Sequence, residues 1–188
     1  MRAQAEAGQV VKTVKSLEVT LKDKLRIYSH QPQHPSLWLI TKVISDIALK
    51  HAVKNLNNRQ FDVAFNWLKT VQRHTEPLAG SDWSRHPEWI LVRKNLHKNF
   101  ALYHQKNTMW QPAFDNLKLA LRLERLLRLD QEATNTSLTC AIILQKMKNY
   151  GMSIDYAQQT LKDVERDLKI KKGQALPEAR YAGKELDK

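Results

Sequence analysis

Residues 100 to 117 read Phe-Ala-Leu-Tyr-His-Gln-Lys-Asn-Thr-Met-Trp-Gln-Pro-Ala-Phe-Asp-Asn-Leu, and their spacing decides the fold. Trp110, Ala113, Leu117 and, just beyond, Ala120 fall at offsets 0, 3, 7 and 10, which is one face of an α-helix. Ala101 lies twelve positions before Ala113, and the polar break Gln105-Lys106-Asn107 between them has room for a tight turn only. Two helices must therefore fold back on each other, and the small side chains let them approach closely.

The same ladder occurs twice more. Phe61, Ala64, Leu68 and Val71 precede it, and Tyr150, Ser153, Ala157 and Thr160 follow it. Each has its alanine twelve positions upstream, Ala52 before Ala64 and Ala141 before Ser153, with breaks at Asn57-Asn58-Arg59 and Lys148-Asn149. The chain reads as all-α: about three stacked antiparallel helical hairpins.

This pattern resembles the tetratricopeptide repeat, whose hairpins pack through a small residue on each helix. The closest matches are Phe100, Ala101, His104, Trp110, Ala113, Leu117 and Ala120, then Cys140, Ala141, Leu144, Tyr150, Ser153, Ala157 and Thr160. The first unit is looser, keeping Ala52, Phe61, Ala64 and Leu68. The resemblance spans roughly residues 37 to 168 and implies an α-solenoid. The family period is about 34 residues, whereas the steps here are 49 (Ala64 to Ala113) and 40 (Ala113 to Ser153), so helices or connections are longer. His97 and Ser137 stand where the motif usually has tryptophan.

With 188 residues the chain can bury one core, and stacked hairpins would make it elongated. Three parts are expected: an amphipathic helix within 1–30, a repeat domain over 37–169, and a polar, mobile tail over 170–188. In the first part, Val10, Val14, Leu17, Leu21 and Leu25 form a stripe that needs cover. It either caps the first hairpin or pairs with a partner helix, and a cap is the preferred reading. Ser29 to Ser36, with two prolines, breaks the helix. The following helices are expected over 37–56, 60–73, 87–106, 109–129, 131–147 and 150–169. Ser81 or Ser84 is the candidate cap before Pro87. The leucines from Leu117 to Leu129 are dense enough to require burial on two sides.

Catalytic and cofactor signatures are missing. Gly8, Gly80, Gly151, Gly173 and Gly183 are isolated, so no phosphate-binding loop can form. His30 and His34 are separated by Pro32, and His97 and His104 stand two turns apart, about 10.5 Å along the helix, so no metal site is expected. The lone Cys140 should be a packing residue in a reducing compartment. Glu124, Asp130 and Glu132 lie among arginines, where solvated pairs such as Glu124 with Arg128 account for them. No cofactor is expected and the chain is not read as an enzyme. No apolar run reaches bilayer length, and residues 1 to 8 lack the features of a secretory leader.

Lys and Arg exceed Asp and Glu by 12, which favours acidic partners. Trp38, Trp67 and Trp110 read as core, whereas Trp83 and Trp89 are a candidate exposed pair. If the hairpins stack as the resemblance implies, the first helix of each lines a groove formed by Asp46, Leu49, Val53 and Leu56, by Asn95, Lys98, Leu102 and Lys106, and by Asn135, Leu138, Ile142 and Lys146. Leu102 occupies the position of the asparagine in the chaperone-tail clamp of some relatives, so an amphipathic or acidic helix is expected instead. These apolar residues could equally bury the chain's own first helix.

Two functions are consistent with this reading. One is a scaffold within a large assembly, cytoplasmic and preferably ciliary or axonemal, because Ala133 to Ile142 is similar to tetratricopeptide segments of ciliated and flagellated protists. The other is an RNA- or ribosome-associated repeat protein, with Arg122, Arg125, Arg128, Lys162, Arg166 and Lys169 on phosphates.

Overall fold

The computed structural model describes residues 2–31, 34–78 and 82–171, with side chains over 8–31, 34–78 and 84–169. Every regular element among them is helical: α1 (Arg2–Ile27), α2 (Pro35–Asn57), α3 (Phe61–Thr75), α4 (Pro87–Lys106), α5 (Trp110–Leu126), α6 (Asp130–Lys146) and α7 (Tyr150–Lys171). Two short 3-10 turns, Glu76–Leu78 and Asp82–Arg85, lie between α3 and α4. The tail expected over 170–188 lies almost wholly outside the described residues.

Each helix packs on its neighbours in the chain, and α2 also reaches α4 across the connection. Four of the joints are the same three-residue turn. In each, the central residue adopts a left-handed conformation: Arg59 (φ 59°), Thr108 (φ 56°), Arg128 (φ 56°) and Lys148 (φ 60°). The amide after it reaches back five residues, as in Gln60 N to Asn55 O (2.9 Å), Met109 N to His104 O (2.8 Å), Leu129 N to Glu124 O (2.9 Å) and Asn149 N to Leu144 O (2.9 Å). This is the Schellman closure, which satisfies helix-end carbonyls while reversing the chain. Glycine is usual at the left-handed position, and none of these four is glycine.

The repeated turn explains the long period. Helices α5, α6 and α7 start at Trp110, Asp130 and Tyr150, each 20 residues after the last, so two helix-plus-turn units give the 40-residue step. The 49-residue step contains the 3-10 turns before α4. The arginine turn also ends α5 at Leu126, three residues before the expected Leu129. His86, not Ser81 or Ser84, is the N-cap of α4, with Pro87 in the first turn. His34 caps α2 by accepting the Ser36 amide at 3.3 Å, and its ring stacks on Tyr28.

The small positions lie at the helix contacts. Ala52, Ala64, Ala101 and Ala113 are wholly buried and Ala141 nearly so. In the last hairpin the Ser153 hydroxyl donates to the Ala141 carbonyl at 2.9 Å, so one helix surface touches the backbone of the other. Ser137 and Thr160 continue that seam, hydroxyl to hydroxyl at 3.1 Å. The third ladder departs from the other two, because Tyr150 and Ala157 are exposed. No further helix covers that side of α7 among the described residues.

Burial follows these contacts. Around the first two hairpins, Trp38, Leu49, Leu68, Trp89, Leu96 and Phe100 form one cluster. Ala101, Phe114, Leu117, Cys140 and Leu144 form another. Val14 and Leu21 of α1 pack against Leu37 and Ile44 of α2, so the amphipathic stripe rests on the first hairpin. Trp89 is thus a core residue with Arg93 over its ring at 5.3 Å, not part of an exposed pair. The side chain of Trp83 lies outside the described residues. Of the dense leucines, Leu117 and Leu121 are buried, whereas Leu119 and Leu126 face outward.

Two substitutions check this packing. Ala113→Leu should force α4 and α5 apart and cost about 1 to 3 kcal/mol. Thr108→Gly should relieve a β-branched residue at positive φ and contribute about 1 kcal/mol, raising the melting midpoint by roughly 2 to 4 °C. Thermal melts followed by circular dichroism measure both.

Candidate partner-binding surfaces

The groove residues expected from spacing separate into three groups. Leu49 and Leu56 of α2 are buried, because they lie on the sides of α2 that pack against its neighbours α1, α3 and α4, while the open face carries Leu39, Val43, Asp46, Lys50 and Val53. Val53 is exposed, as are Asp46 and Lys106, while Asn95 and Leu102 are half-buried. On α6, which is packed by α5 and α7, Leu138 (48 % exposed) and Ile142 (49 %) stand open beside Asn135 and Lys146. That part of the groove is an accessible apolar strip with a cation at its end.

Lys98 has an internal role. Its ammonium lies 2.8 Å from Glu124 Oε1 on α5 and 3.4 Å from Glu132 Oε2 on α6. Lys94, one turn earlier, reaches the same Glu132 oxygen at 2.8 Å. Glu124 is 0 % exposed, so it is not the solvated partner of Arg128 that spacing suggests. Its Oε2 has no hydrogen-bond partner among the described residues. An unpaired buried carboxylate is very costly, and this one is tolerated because the Lys98 side chain crosses from α4 to meet it. Hydrogen bonding to Lys94 is the largest influence holding the Glu132 carboxyl below its ordinary range.

The six basic residues do not form one patch. Arg122 and Arg125, with Lys118, line an open cleft of about 450 Å³ between α5 and α7, whose remaining walls are Leu121, Leu126 and Tyr156. Arg125 and Arg166 share a smaller cleft of about 270 Å³ with Asp130 and Asp163. Arg166 lies 3.6 Å from Asp163. Arg128 sits exposed in its turn, and Lys162 and Lys169 are exposed on α7 and line neither cleft. The apolar walls of the larger cleft were not legible in the sequence, since they combine residues of α5 with Tyr156 some thirty positions later.

Burial pushes the Cys140 thiol up to about 12, where it is an inert packing group at neutral pH. Burial also pushes the His97 imidazole down, partly opposed by its 3.0 Å hydrogen bond with Asn116. His104, against Phe100 and Tyr103, is lowered chiefly by burial as well. Among the described residues, no group of three or more His, Cys, Asp or Glu could hold a metal ion. No helix there is long and apolar enough to cross a membrane.

Two tests follow from these groups. Lys98→Met leaves the Glu124 carboxylate without its cation and should cost about 3 to 5 kcal/mol, whereas Lys98→Met with Glu124→Leu should recover most of that loss. Denaturant melts of the two variants decide it. For the histidines, both states are neutral above the ordinary value of 6.5, but below it the unfolded chain takes up protons that folded His97 and His104 resist. Stability should therefore fall as pH drops from about 7 to about 5, and His97→Gln with His104→Gln should make the decline shallower. Compared with known protein families, curated proteins and solved structures, the chain matches none of them.

Proposed function

We propose that this chain is a non-catalytic scaffold of tetratricopeptide-like hairpins that holds an acidic, amphipathic helical segment of a partner protein. The observation that carries this reading is the cleft between α5 and α7. Lys118, Arg122 and Arg125 supply cations along one wall, and Leu121, Leu126 and Tyr156 supply apolar surface beside them. An amphipathic helix with acids flanking its apolar face satisfies both, burying leucine surface while pairing carboxylates with guanidinium groups. The Leu138, Ile142 and Lys146 strip on α6 offers the same chemistry on a second face.

The repeat-like hairpins support the scaffold reading, since each buries only one side and leaves the other for contact. The similarity of Ala133 to Ile142 to segments of ciliated and flagellated protists favours a cytoplasmic assembly of the ciliary or axonemal kind. Binding to RNA is the second reading, supported by the excess of 12 positive charges. Asp130 and Asp163, placed among Arg125 and Arg166, offset the charge of the smaller cleft for phosphate and carboxylate alike, and it is the apolar wall of Leu121, Leu126 and Tyr156 in the larger cleft that favours the protein partner.

Titration of the full chain with a synthetic helix carrying leucine and glutamate on adjoining faces, and separately with single-stranded RNA, tests both readings. The peptide should bind, and Arg122→Glu with Arg125→Glu should weaken it at least tenfold with an unchanged melt. RNA binding with a steep log-log salt slope, and no peptide binding, would replace the scaffold reading with the second.

A further inference from the structure

Helix α7 carries a second, unpartnered face, distinct from the clefts. Tyr150, Ile154, Ala157, Leu161, Val164 and Leu168 are all exposed, and the five large side chains are between 39 % and 59 % accessible. Their spacing is 4, 3, 4, 3, 4, an unbroken heptad seam. On an ideal helix the six fall within an arc of about 80° and extend about 27 Å. Ser153, Tyr156, Thr160 and Asp163, which turn towards α5 and α6 or are buried, lie about a quarter turn away.

The positions 40 residues earlier are Trp110, Phe114, Leu117, Leu121 and Glu124 on α5 and Arg128 in the turn after it, so the likeness covers the first four seam positions. There Phe114, Leu117 and Leu121 are buried, and Phe114 meets Tyr156 of the following hairpin edge-on at 5.7 Å. Helix α7 thus presents outward the kind of face that α5 buries beneath its successor.

Two observations identify the occupant. First, the seam is palindromic: turned end for end about position 159, Tyr150 faces Leu168, Ile154 faces Val164 and Ala157 faces Leu161. A two-fold antiparallel partner of the same sequence therefore matches large residue to large residue in the four outer layers and seats the small Ala157 against Leu161 in the two central ones. Second, charge permits self-association here. The chain as a whole has a net charge of +12 and repels its own copies, yet α7 holds four acids (Asp155, Asp163, Glu165, Asp167) and four bases (Lys162, Arg166, Lys169, Lys171).

We propose that α7 pairs antiparallel with α7 of a second copy, joining two molecules through their C-terminal helices. This surface is independent of the cleft and of what binds there. Two such seams bury on the order of 1,000 Å² in total, near the lower bound for a specific interface, so the dimer should be concentration-dependent.

Sedimentation equilibrium of the full chain over a concentration series tests it. The mass should rise from the monomer value of 21.9 kDa towards twice that value. Leu161→Asp should raise the dissociation constant at least tenfold, with helix content unchanged because the residue is on the surface. Register is read by mixing Ala157→Cys chains with Leu161→Cys chains under mild oxidation, where the buried Cys140 does not compete. The antiparallel pair gives the mixed disulfide. A monomeric mass throughout, a dimer indifferent to Leu161→Asp, or disulfides only between like chains would each overturn the proposal.

Discussion

Close approach of paired helices at alanine-sized positions is the constraint on which this architecture depends. Ala52, Ala64, Ala101 and Ala113 are wholly buried, Ala101 and Ala113 share one core cluster, and Ser153 touches the backbone at Ala141, so the helix surfaces meet where side chains are no larger than a methyl or hydroxymethyl group. In the last pair the separation is small enough for a side-chain hydroxyl to reach a backbone carbonyl. Around these close contacts larger neighbours pack, Leu68 in one core cluster and Phe114, Leu117 and Leu144 in another. The small residues contribute little area themselves, and their value is in letting larger ones interdigitate.

The turns translate that pairing into a stack. A three-residue Schellman closure recurs at Arg59, Thr108, Arg128 and Lys148, and it serves both within hairpins and between α5 and α6. Because the joint between hairpins equals the joint within them, α5, α6 and α7 follow at equal intervals and each is packed by its sequence neighbours. The Glu124 carboxylate, buried on α5, is reached by Lys98 from α4, while Lys98 and Lys94 also reach Glu132 on α6. Three successive helices are thereby coupled by charge as well as by packing, and two of the chain's cations are committed internally. Lys118, Arg122 and Arg125, by contrast, stand exposed around the larger cleft.

Helices and pairing were legible because they rest on local periodicity. The ladders, the alanines upstream of them and the prolines before α2 and α4 each specify something within about a dozen residues. What escaped depends on how helices surround one another. Leu49 and Leu56 share a face with Ala52, and only the packing of α2 against three helices shows that this face is interior. Trp89 follows the polar stretch Ser84-Arg85-His86-Pro87-Glu88 in sequence yet is buried in space. Glu124 looks like a surface acid beside arginines until α4 brings Lys98 across it. Conversely, Tyr150 and Ala157 match the ladder and are nonetheless exposed, because a pattern of spacing does not say whether a covering helix follows. The clefts escaped for the same reason, being built from helices apart in sequence.

Close pairing of the helices is measured directly by proton–proton nuclear Overhauser effects. In a methyl-labelled sample the Ala101 and Ala113 methyl groups should give a cross-peak, as should Ala52 with Ala64, and Ser153 should show contacts to Ala141. Alanine methyls that relay only to their own helix, with no cross-peak between α4 and α5 or between α2 and α3, would contradict it.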